Sequence, residues 1–544
     1  MENHTQNQSQ NEKMLRGTVW STVGDIISRL LGALYIIPWF YWMGEYANEA
    51  NALFSMGYNI YATILLFSTS GINVALSKQI AKYSTLEQDH KIAALVNGFL
   101  KLMLLSGLFF ASSMFLASPF LSEAMGLGQD LVPILYSLCL SVLVFPAMAT
   151  IRGIFQGYAN LKPYAISQIW EQIIRIIWML LTTYVIMKMG NGDYKAAVMQ
   201  STLAAFIGMI ASLIVLFYFL KKENLLGLIR KPKQGTNDLK VGQLVIETLK
   251  EAIPFIILGS AIQTYQLIDQ FSFIRLMETF TDATTQRLTI LYSYMSANPN
   301  KIVMILISIA SSIGAIGIPL LTANYLKKDK AASANLIVNN IKMMNIFIIP
   351  ALTGALLLAR EIYTIFYSEP ETIALILFIH ALVQTFFLAA YNLLSPTLLA
   401  LFESRKAIRY FGISILVKLI LQVPFIYLFQ ANGPLASTSL AALSAIVLMY
   451  REVQRKTEFN QSYLFKQGLQ VLLSTLIMVL VVLAGRFLLD LALPGTGKLS
   501  MLIRLFLLAG SGILTYAYIT LKNRLIDDLL GNRADRLRTV LRIK

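Results

Sequence analysis

The first long apolar run of the sequence contains two oppositely charged residues, in a setting where an uncompensated charge is costly. Ser21, Asp25, Ser28, Arg29 and Gly32 recur at helical spacing and form one stripe of a helix. Asp25 and Arg29 are four residues apart, so they can pair along that helix. Because an arginine can hold a phosphate through two parallel hydrogen bonds, the stripe predicts an anion-contacting arginine with a carboxylate that orients it. An ion pair that only joins neighbouring helices is the alternative.

A second charged stripe lies in the fifth apolar run, where Ser167, Glu171 and Arg175 share one helical face. This stripe predicts either a further polar contact with a substrate or a structural ion pair between helices. Lys101 and Lys342 stand within the third and ninth apolar runs. Each of these lysines can contact a substrate, extend to the membrane surface or pair with a neighbouring carboxylate.

Other polar side chains are spread along several runs. The seventh run contains Gln263, Gln266 and Asp269, the second contains Asn59, and the tenth contains His380. Amides and hydroxyls on several helices suit a hydrated cavity for a sugar or another solute that makes many hydrogen bonds. They suit polar packing between helices equally well. For His380, the sequence favours a satisfied core histidine over a proton relay.

The elements that must position these residues are membrane-spanning helices. Of the 544 residues, 56% are hydrophobic and 14% are charged, against roughly 45–50% and about 25% in an average globular protein. The mean hydropathy is +0.63, and apolar runs of about 20 residues recur along the chain, the length that crosses a bilayer. This composition excludes a disordered chain, a collagen and an ordinary soluble globule. The predicted fold is all-α, a polytopic membrane protein with about fourteen transmembrane helices.

The predicted spans are bounded by charge, proline or glycine, and the first lacks the cleavage signature of a signal peptide. They cover residues 17–42, 52–74, 91–117, 131–155, 163–188, 196–220, 248–274, 300–323, 337–358, 371–394, 408–429, 434–450, 466–489 and 501–521.

Lysine and arginine collect in alternate loops, as they do on the cytoplasmic side of membrane proteins. With the N-terminus inside, thirty of the 45 basic residues fall in the predicted inner segments and seven in the outer loops. The formal net charge of +16 is therefore a topology signal, and the sequence predicts no nucleic-acid partner. Residues 1–16, 221–247 and 522–544 are expected to be the cytoplasmic N-terminus, a basic cytoplasmic loop and a basic amphipathic cytoplasmic tail.

The chain resembles itself at a shift of about 247 residues, which aligns Ser167 with Ser414 and places Lys418 opposite Glu171. The repeat predicts two lobes of six helices, an N-lobe at 17–220 and a C-lobe at 248–450, followed by two further helices within 466–521. Because six is even, both lobes have the same orientation, which predicts a parallel repeat about an axis along the membrane normal. Lobes of this kind commonly hold the substrate at their interface near the bilayer midplane and alternate access by rocking.

No motif of a soluble enzyme occurs in the sequence. There is no Walker A loop, GxSxG, HExxH or CxxC pair, and no polar segment large enough for a catalytic domain. The one cysteine, Cys139, excludes a disulfide within the chain. We therefore expect a transporter with no cofactor, coupled to the membrane potential, to H⁺ or to Na⁺. Asp25, Glu171, Asp269 and His380 are the titratable candidates for such coupling.

Three segments of the first half resemble a known family. They are SRLLGALYIIPW (residues 28–39), GINVALSKQIAKY (71–83) and RGIFQGYANLKPYAISQIWEQIIRII (152–177). These segments resemble the stage V sporulation protein B and YtgP branch of the multidrug/oligosaccharidyl-lipid/polysaccharide (MOP) flippase superfamily, which is related to the MurJ-type lipid II flippases. The resemblance implies fourteen helices and a central cavity between lobes. It also implies that an undecaprenyl-diphosphate-linked cell-wall precursor is flipped from the inner to the outer leaflet.

The resemblance assigns roles to single residues as well. Arg29 matches the arginine of the SRxxG motif that is expected to contact the diphosphate, with Asp25 as its partner. Six positions later, where MurJ proteins have a second arginine, this chain has Tyr35. The predicted eighth span has no arginine at all. The candidates to replace the missing cation are Lys101, Arg175 and Lys342.

Together these observations predict a bacterial plasma-membrane flippase for the lipid-linked peptidoglycan precursor lipid II, working by alternating access without covalent chemistry. The expected partners are the lipid-linked oligosaccharide, membrane lipids and the cell-wall synthesis machinery. A flippase for another polyprenyl-linked polysaccharide or teichoic precursor is the closest alternative, followed by a cation-coupled drug antiporter of the same superfamily. A membrane-embedded glycosyltransferase would need a substantial outer loop, and the predicted outer loops are short.

Overall fold

Long α-helices dominate the computed structural model, which describes residues 28, 31–69, 72–86, 88–229, 250, 253–492, 497–527 and 532–540. No β-strand occurs within these ranges, and the predicted all-α membrane-protein class is confirmed. The helices of the first half are α1 (Ile36–Met43), α2 (Ala47–Thr69), α3 (Ile72–Thr85), α4 (Asp89–Ala124), α5 (Val132–Gly157), α6 (Leu161–Tyr184) and α7 (Tyr194–Lys222).

The second half continues the same architecture. Its helices are α8 (Ala261–Phe280), α9 (Thr285–Tyr292), α10 (Asn298–Leu326), α11 (Lys330–Leu357), α12 (Ala359–Phe366), α13 (Thr372–Ala400), α14 (Ser404–Phe429), α15 (Gly433–Thr457), α16 (Gln461–Ala492), α17 (Lys498–Lys522) and α18 (Asn532–Val540).

Eleven helical segments of the described chain are long and apolar enough to cross a membrane. One of them, Ser404–Thr457, contains two of the predicted spans, 408–429 and 434–450, and another, Leu31–Thr69, covers the described parts of the spans predicted at 17–42 and 52–74 between residues 31 and 69. The predicted span at 248–274, which includes residues outside the described ranges, has no counterpart among the eleven. The chain is thus a multi-pass membrane protein, while the number of fourteen spans stays a prediction.

The chain separates into two compact units. The first contains Met1–Arg275 and Thr284–Thr289, and the second contains Leu276–Ala283 and Ile290–Lys544. Most of α8 therefore belongs with the first unit. The lobe boundaries derived from the sequence repeat stay a prediction.

The same turn follows α5 in the first unit and α13 in the second. Ala159 and Phe402 occupy its centre with left-handed φ angles of 55° and 59°. In each turn three successive backbone N–H groups donate to earlier carbonyls. The N–H groups of residues 158 and 401 reach four residues back, those of 159 and 402 reach three residues back, and those of 160 and 403 reach five residues back. This is the pattern with which helices commonly end at a left-handed residue. The two units therefore repeat each other in backbone structure at this point.

The turn gives a second register for the repeat. The two turns are 243 residues apart, about one helical turn less than the shift of 247 inferred from the sequence, which stays a prediction. At the spacing of the turns, Lys418 corresponds to Arg175 rather than to Glu171. Each unit then has a cationic side chain at this position of the helix that follows the turn, α6 or α14.

A proline weakens α11 at the point where α17 contacts it. Pro350 has no N–H group, so the carbonyl of Ile346, four residues earlier, lacks its helical partner. The hydroxyl of Tyr516 in α17 donates to this carbonyl at 2.9 Å. The bond satisfies the freed carbonyl and anchors α17 to α11 within the second unit.

Replacing Tyr516 with phenylalanine should lower the free energy of unfolding by about 1–3 kcal/mol, because the Ile346 carbonyl then has no donor in a buried setting. The measurement is the midpoint of thermal unfolding in detergent. Tyr518→Phe is the control, since the Tyr518 ring is 49% exposed, and it should leave the midpoint unchanged. Equal midpoints for the two variants would contradict the anchoring role of Tyr516.

Candidate anion-binding site

A buried cluster of three charged side chains joins α5 and α6 in the first unit. Arg152 donates Nη2 to Glu171 Oε2 at 2.7 Å, and Arg175 donates Nη2 to Glu171 Oε1 at 2.9 Å. Each carboxylate oxygen therefore has its own guanidinium partner. The Arg152, Glu171 and Arg175 side chains are only 10%, 9% and 19% exposed. Two guanidiniums against one carboxylate leave the cluster with one net positive charge.

A glycine allows α7 to approach this cluster closely. A Cβ atom at Gly208 would lie 2.6 Å from the Glu171 carbonyl oxygen and 3.2 Å from Arg175 Cβ. Real side chains do not make such contacts, so residue 208 must lack one for the helices to pack this way. One turn later on α7, Ser212 accepts a hydrogen bond from Arg152 Nη2 at 2.9 Å. Helix packing thus builds the cluster from α5, α6 and α7.

Arg152 is held by neighbours on several sides. Besides contacting Glu171 and Ser212, it donates Nε to Ser167 Oγ at 3.1 Å. Its guanidinium also lies over the Tyr164 ring, 5.4 Å from the ring centroid. These contacts fix the Arg152 guanidinium, which in turn holds the carboxylate of Glu171 in place between the helices.

Arg175 is held less completely. Its Nη1 donates to Tyr58 Oη at 3.0 Å, while its buried Nε–H has no acceptor among the described residues. One turn further along α6, the buried indole N–H of Trp178 also has no acceptor in that part of the chain. Buried donors without acceptors are rare and call for a partner. Together with the net positive charge, they make Arg175 a candidate for binding an anion in the first unit.

Aromatic rings of α2 border Arg175. Tyr58, which accepts the hydrogen bond from Arg175, stacks on Phe54 with ring centroids 5.5 Å apart. Tyr58 also meets Tyr61 edge-on, with centroids 5.1 Å apart. Phe54 and Tyr61 are buried, whereas Tyr58 is partly exposed. The packing of its neighbours therefore fixes the orientation of the ring beside the arginine.

The chain before α1 approaches the same face of α6. A Cβ atom at Gly32 would lie 3.2 Å from Gln172 Nε2. Gly32 is one of the residues of the polar stripe predicted from the sequence. Gln172 lies on α6 one turn before Arg175, so the chain just before Tyr35 lies against this part of α6.

The structure describes some of the site residues that were predicted in the first two spans. Asp25 and Arg29 lie outside the described residues, so their pairing stays a prediction. Ser28 is described and partly buried. Asn59 is buried and donates Nδ2 to Gln270 Oε1 at 3.2 Å. This contact joins α2 to α8 within the first unit, which fits the packing alternative for Asn59.

The other predicted residues lie on three helices. Gln263 and Gln266 are partly buried on α8, and Asp269 is buried there. Lys101 is exposed on α4, and Lys342 is buried on α11 of the second unit. Their roles in substrate binding stay predictions. Glu171 and Arg175 are in direct contact with each other.

His380, a candidate for coupling, lies beside an amide. Its Nδ1 is 3.1 Å from Asn432 Oδ1 within the second unit. A histidine with a fixed amide partner fits the satisfied core residue that the sequence favoured.

The cation at the equivalent position of the second unit is enclosed. Lys418 is fully buried, and its ammonium donates to the Pro434 carbonyl at 2.9 Å, to Ser437 Oγ at 2.9 Å and to Thr438 Oγ1 at 2.6 Å. These contacts use the three N–H donors that a lysine has. The position therefore serves packing of α14 against α15 in the second unit, whereas Arg175 Nε in the first unit has no acceptor among the described residues.

Arg152 was missed by the sequence analysis. It stands at the end of the predicted span 131–155, where a basic residue is ordinarily a topology signal. Its partners Glu171 and Ser212 lie on two other helices, so no spacing within one helix reveals them. The one signal in the sequence was the pair Gly208 and Ser212, small residues four positions apart that mark a close helix contact.

Gly208→Ala should destabilise the protein by about 1–3 kcal/mol, because the new methyl group meets the backbone oxygen of Glu171 and pushes α7 away. Gly412→Ala in α14 is the matched control, since a Cβ atom there has nothing within 4 Å. Alanine favours a helix more than glycine does, so the control should stabilise by about 0.5–1 kcal/mol. Thermal unfolding in detergent measures both. Shifts of the same sign would contradict the close contact.

The fold and the site define a class of protein: a multi-pass, all-helical membrane protein with a sheltered cationic cluster. The family described as "Polysaccharide biosynthesis protein" matches residues 14–325, and the chain belongs to this family. The predicted membership of the MOP flippase superfamily is confirmed. A relative named as a flippase and solved structures of a flippase and a transporter match the chain, so the prediction of a transporter rather than an enzyme is also confirmed.

Two relatives come from Bacillus subtilis (strain 168). Lipid II flippase MurJ is 30% identical over 537 residues, which are 96% of this chain and 97% of the relative. Stage V sporulation protein B is 26% identical over 210 residues, 39% of each chain.

Solved structures share the fold. A structure of lipid II flippase MurJ in an inward closed conformation matches with a TM-score of 0.61 at 17% identity, covering 94% of this chain and 100% of the other. An inward-facing multidrug resistance MATE family transporter of the MOP superfamily matches with a TM-score of 0.61 at 15% identity, covering 79% of this chain and 96% of the other. At these identities the likeness concerns the fold alone.

Proposed function

We propose that this protein is a lipid II flippase, which moves the undecaprenyl-diphosphate-linked peptidoglycan precursor from the inner to the outer leaflet by alternating access. The observation that carries the proposal is the 30% identity to a lipid II flippase over almost the whole of both chains. A drug antiporter is supported less, because the likeness to MATE transporters concerns the fold alone.

Arg175 is the residue that we assign to the diphosphate. Its Nε–H is available without breaking any described contact, and a guanidinium can hold a phosphate through two parallel hydrogen bonds. Glu171 keeps Arg175 in place before the substrate arrives, and Arg152 keeps Glu171 in place throughout. As a phosphate binds, Arg175 can exchange its contacts with Tyr58 and Glu171 for the phosphate oxygens, while the carboxylate stays neutralised by Arg152.

Arg29 is proposed as a second guanidinium for the same diphosphate. This assignment comes from the family resemblance of the SRxxG motif. It is supported by the position of Gly32, which follows Arg29 by three residues in the sequence. Gly32 packs against Gln172, and Gln172 precedes Arg175 by about one turn of α6. Tyr35 takes the place of a family arginine, and Arg175 on α6 is proposed to supply the missing cation.

The setting in the cell follows from the charge distribution and the resemblance. The protein is proposed to lie in a bacterial plasma membrane with both termini in the cytoplasm, next to the cell-wall synthesis machinery. Transport is proposed to be coupled to the membrane potential, H⁺ or Na⁺. A cluster with one net positive charge can respond to the membrane potential, which acts on a charge with about 2.3 kcal/mol per 100 mV.

The proposal is tested by depleting the protein in its host and measuring the lipid II accessible at the outer leaflet. Wild type should restore accessible lipid II, and Arg29→Ala should not. If accessible lipid II stays normal while another surface glycan disappears, the substrate is a different polyprenyl-linked precursor. If no envelope lipid changes in a strain that lacks paralogues, the flippase proposal is wrong.

A further inference from the structure

A surface groove of the second unit lies between the end of α15 and the start of α16, with a volume of about 450 Å³. Its walls combine apolar side chains with cationic and amide groups, namely Ile446, Val447, Tyr450, Arg451, Gln454, Arg455 and Gln461. The flippase site described above lies in the first unit, so this groove is a separate feature of the molecule.

The groove continues an apolar stripe of α15. Leu440, Leu443 and Val447 recur at helical spacing and are 42%, 37% and 38% exposed. In a membrane-spanning helix, exposed apolar side chains of this kind face lipid chains. Arg451 follows on the same stripe, one turn after Val447. A stripe that is apolar along its length and cationic at its end matches a lipid with its phosphate at the membrane surface.

The two arginines of the groove differ in their contacts. Arg451 is exposed and makes no ion pair with any part of the chain that the structure describes. Arg455 pairs with Glu452 at 2.7 Å, and Glu452 is shared with Lys406 at 2.9 Å. Two like charges four residues apart on a helix repel each other, so an anion placed between Arg451 and Arg455 would stabilise this end of α15.

The neighbouring acidic groups are already engaged. Glu403 pairs with Lys406 at 3.0 Å and also with Lys456. Partial burial acts to raise the pKa of Glu403, but the hydrogen-bonded pairs with Lys456 and Lys406 outweigh it and lower that pKa. The two carboxylates of Glu403 and Glu452 pair with three cations, Lys406, Lys456 and Arg455, and Arg451 adds a fourth positive charge. The surroundings of the groove thus have a net charge of +2 and attract anions.

Gln454 adds an independent observation. Its Nε2 donates to the Phe459 carbonyl at 3.0 Å, which fixes the amide. Its Oε1 is buried and has no donor among the described residues. A buried acceptor without a donor calls for a partner. A headgroup that carries hydroxyls next to its phosphate would supply one.

We propose that this groove binds one acidic phospholipid with a glycerol-type headgroup. The phosphate lies on Arg451 and Arg455, a headgroup hydroxyl donates to Gln454 Oε1, and an acyl chain follows the stripe of α15. A volume of about 450 Å³ is in the range of small-ligand sites, which suits a glycerol phosphate better than a diphosphate that also carries sugars and a peptide. The bound lipid would act as a fixed part of the second unit.

The test is native mass spectrometry of the purified full-length protein with added dioleoylphosphatidylglycerol. Arg451→Gln combined with Arg455→Gln should weaken binding of the first lipid at least about tenfold. Arg405→Gln combined with Arg409→Gln is the matched control, because it removes two exposed charges from the start of α14, and binding should stay within about twofold. Unfolding midpoints of both double variants should match that of wild type, which separates loss of the lipid from loss of the fold.

Gln454→Leu tests the headgroup contact. It should weaken binding of phosphatidylglycerol but not of dioleoylphosphatidic acid, which has no headgroup hydroxyl beyond its phosphate.

Three outcomes would overturn the proposal. The first is equal loss of binding in both double variants, which would mean unspecific attraction by surface charge. The second is binding of phosphatidylcholine as tight as that of phosphatidylglycerol. The third is tighter binding of undecaprenyl diphosphate that is lost in the Arg451 and Arg455 variant, which would make the groove a substrate site.

Discussion

Arg175→Gln is expected to slow lipid II flipping on the order of 100-fold or more, because it removes the guanidinium that we assign to the diphosphate. Hydrogen bonds to charged groups contribute about 1.5–3 kcal/mol each, and two of them would be lost. Glutamine keeps an amide near Tyr58 and Glu171, so the helices can remain packed. The rate is measured with purified protein in proteoliposomes that contain lipid II.

Two variants separate charge from geometry at Arg175. Arg175→Lys keeps the positive charge but loses the planar fork, so we expect a flipping rate between those of wild type and Arg175→Gln. Lys188→Gln removes an exposed charge just beyond α6 and should leave the rate unchanged. If Arg175→Gln flips lipid II as fast as Lys188→Gln does, the assigned contact is wrong.

Glu171→Gln is expected to have the largest effect on stability, about 3–5 kcal/mol. The carboxylate is the shared partner of Arg152 and Arg175, at 2.7 and 2.9 Å. Its neutralisation leaves two sheltered guanidiniums without a counter-charge, which is far more costly than the loss of an exposed pair. The midpoint of thermal unfolding in detergent measures the effect.

The control for Glu171 is the exposed ion pair of Asp130 and Lys195, whose atoms are 2.6 Å apart while both side chains are 44% exposed. Asp130→Asn should change stability little, since exposed pairs contribute little. The double variant Glu171→Gln with Arg152→Met should recover part of the lost stability. It removes one of the two buried positive charges that Glu171→Gln leaves without a counter-charge. Equal midpoints for Glu171→Gln and Asp130→Asn would contradict the buried network.

The half of the site that lies within one helix could be predicted from the sequence. Glu171 and Arg175 are four residues apart, and helical spacing alone places them on one face. Arg152 reaches Glu171 from another helix, and a single sequence has no spacing that relates α5 to α6. Tyr58 was hidden for the same reason, since an aromatic residue in an apolar run gives no sign of a polar partner on α6.

The internal repeat could be detected in the sequence, but its exact register could not. Apolar helices look alike after a shift of one turn, so sequence comparison alone does not decide whether Lys418 corresponds to Glu171 or to Arg175. The register with Arg175 comes from the left-handed turns at Ala159 and Phe402. Neither residue is a glycine or an asparagine, so neither turn had a signal in the sequence.

The fold class followed from composition, whereas individual helix contacts did not. Long apolar runs require helices because a membrane leaves backbone groups no other partners. Pro350 marks a weakened position of α11 in the sequence, yet only the structure shows that Tyr516 supplies the missing donor.

The central claim is that this chain itself moves lipid II across a bilayer. The most direct measurement reconstitutes the purified protein in liposomes with lipid II on the inner leaflet, applies a membrane potential and follows lipid II accessible from outside. We predict that wild type exposes lipid II faster than protein-free liposomes do and that Arg175→Gln does not. Lipid II exposure at the protein-free rate by a folded wild-type protein, at either sign of the potential and with H⁺ or Na⁺ gradients present, would contradict the account.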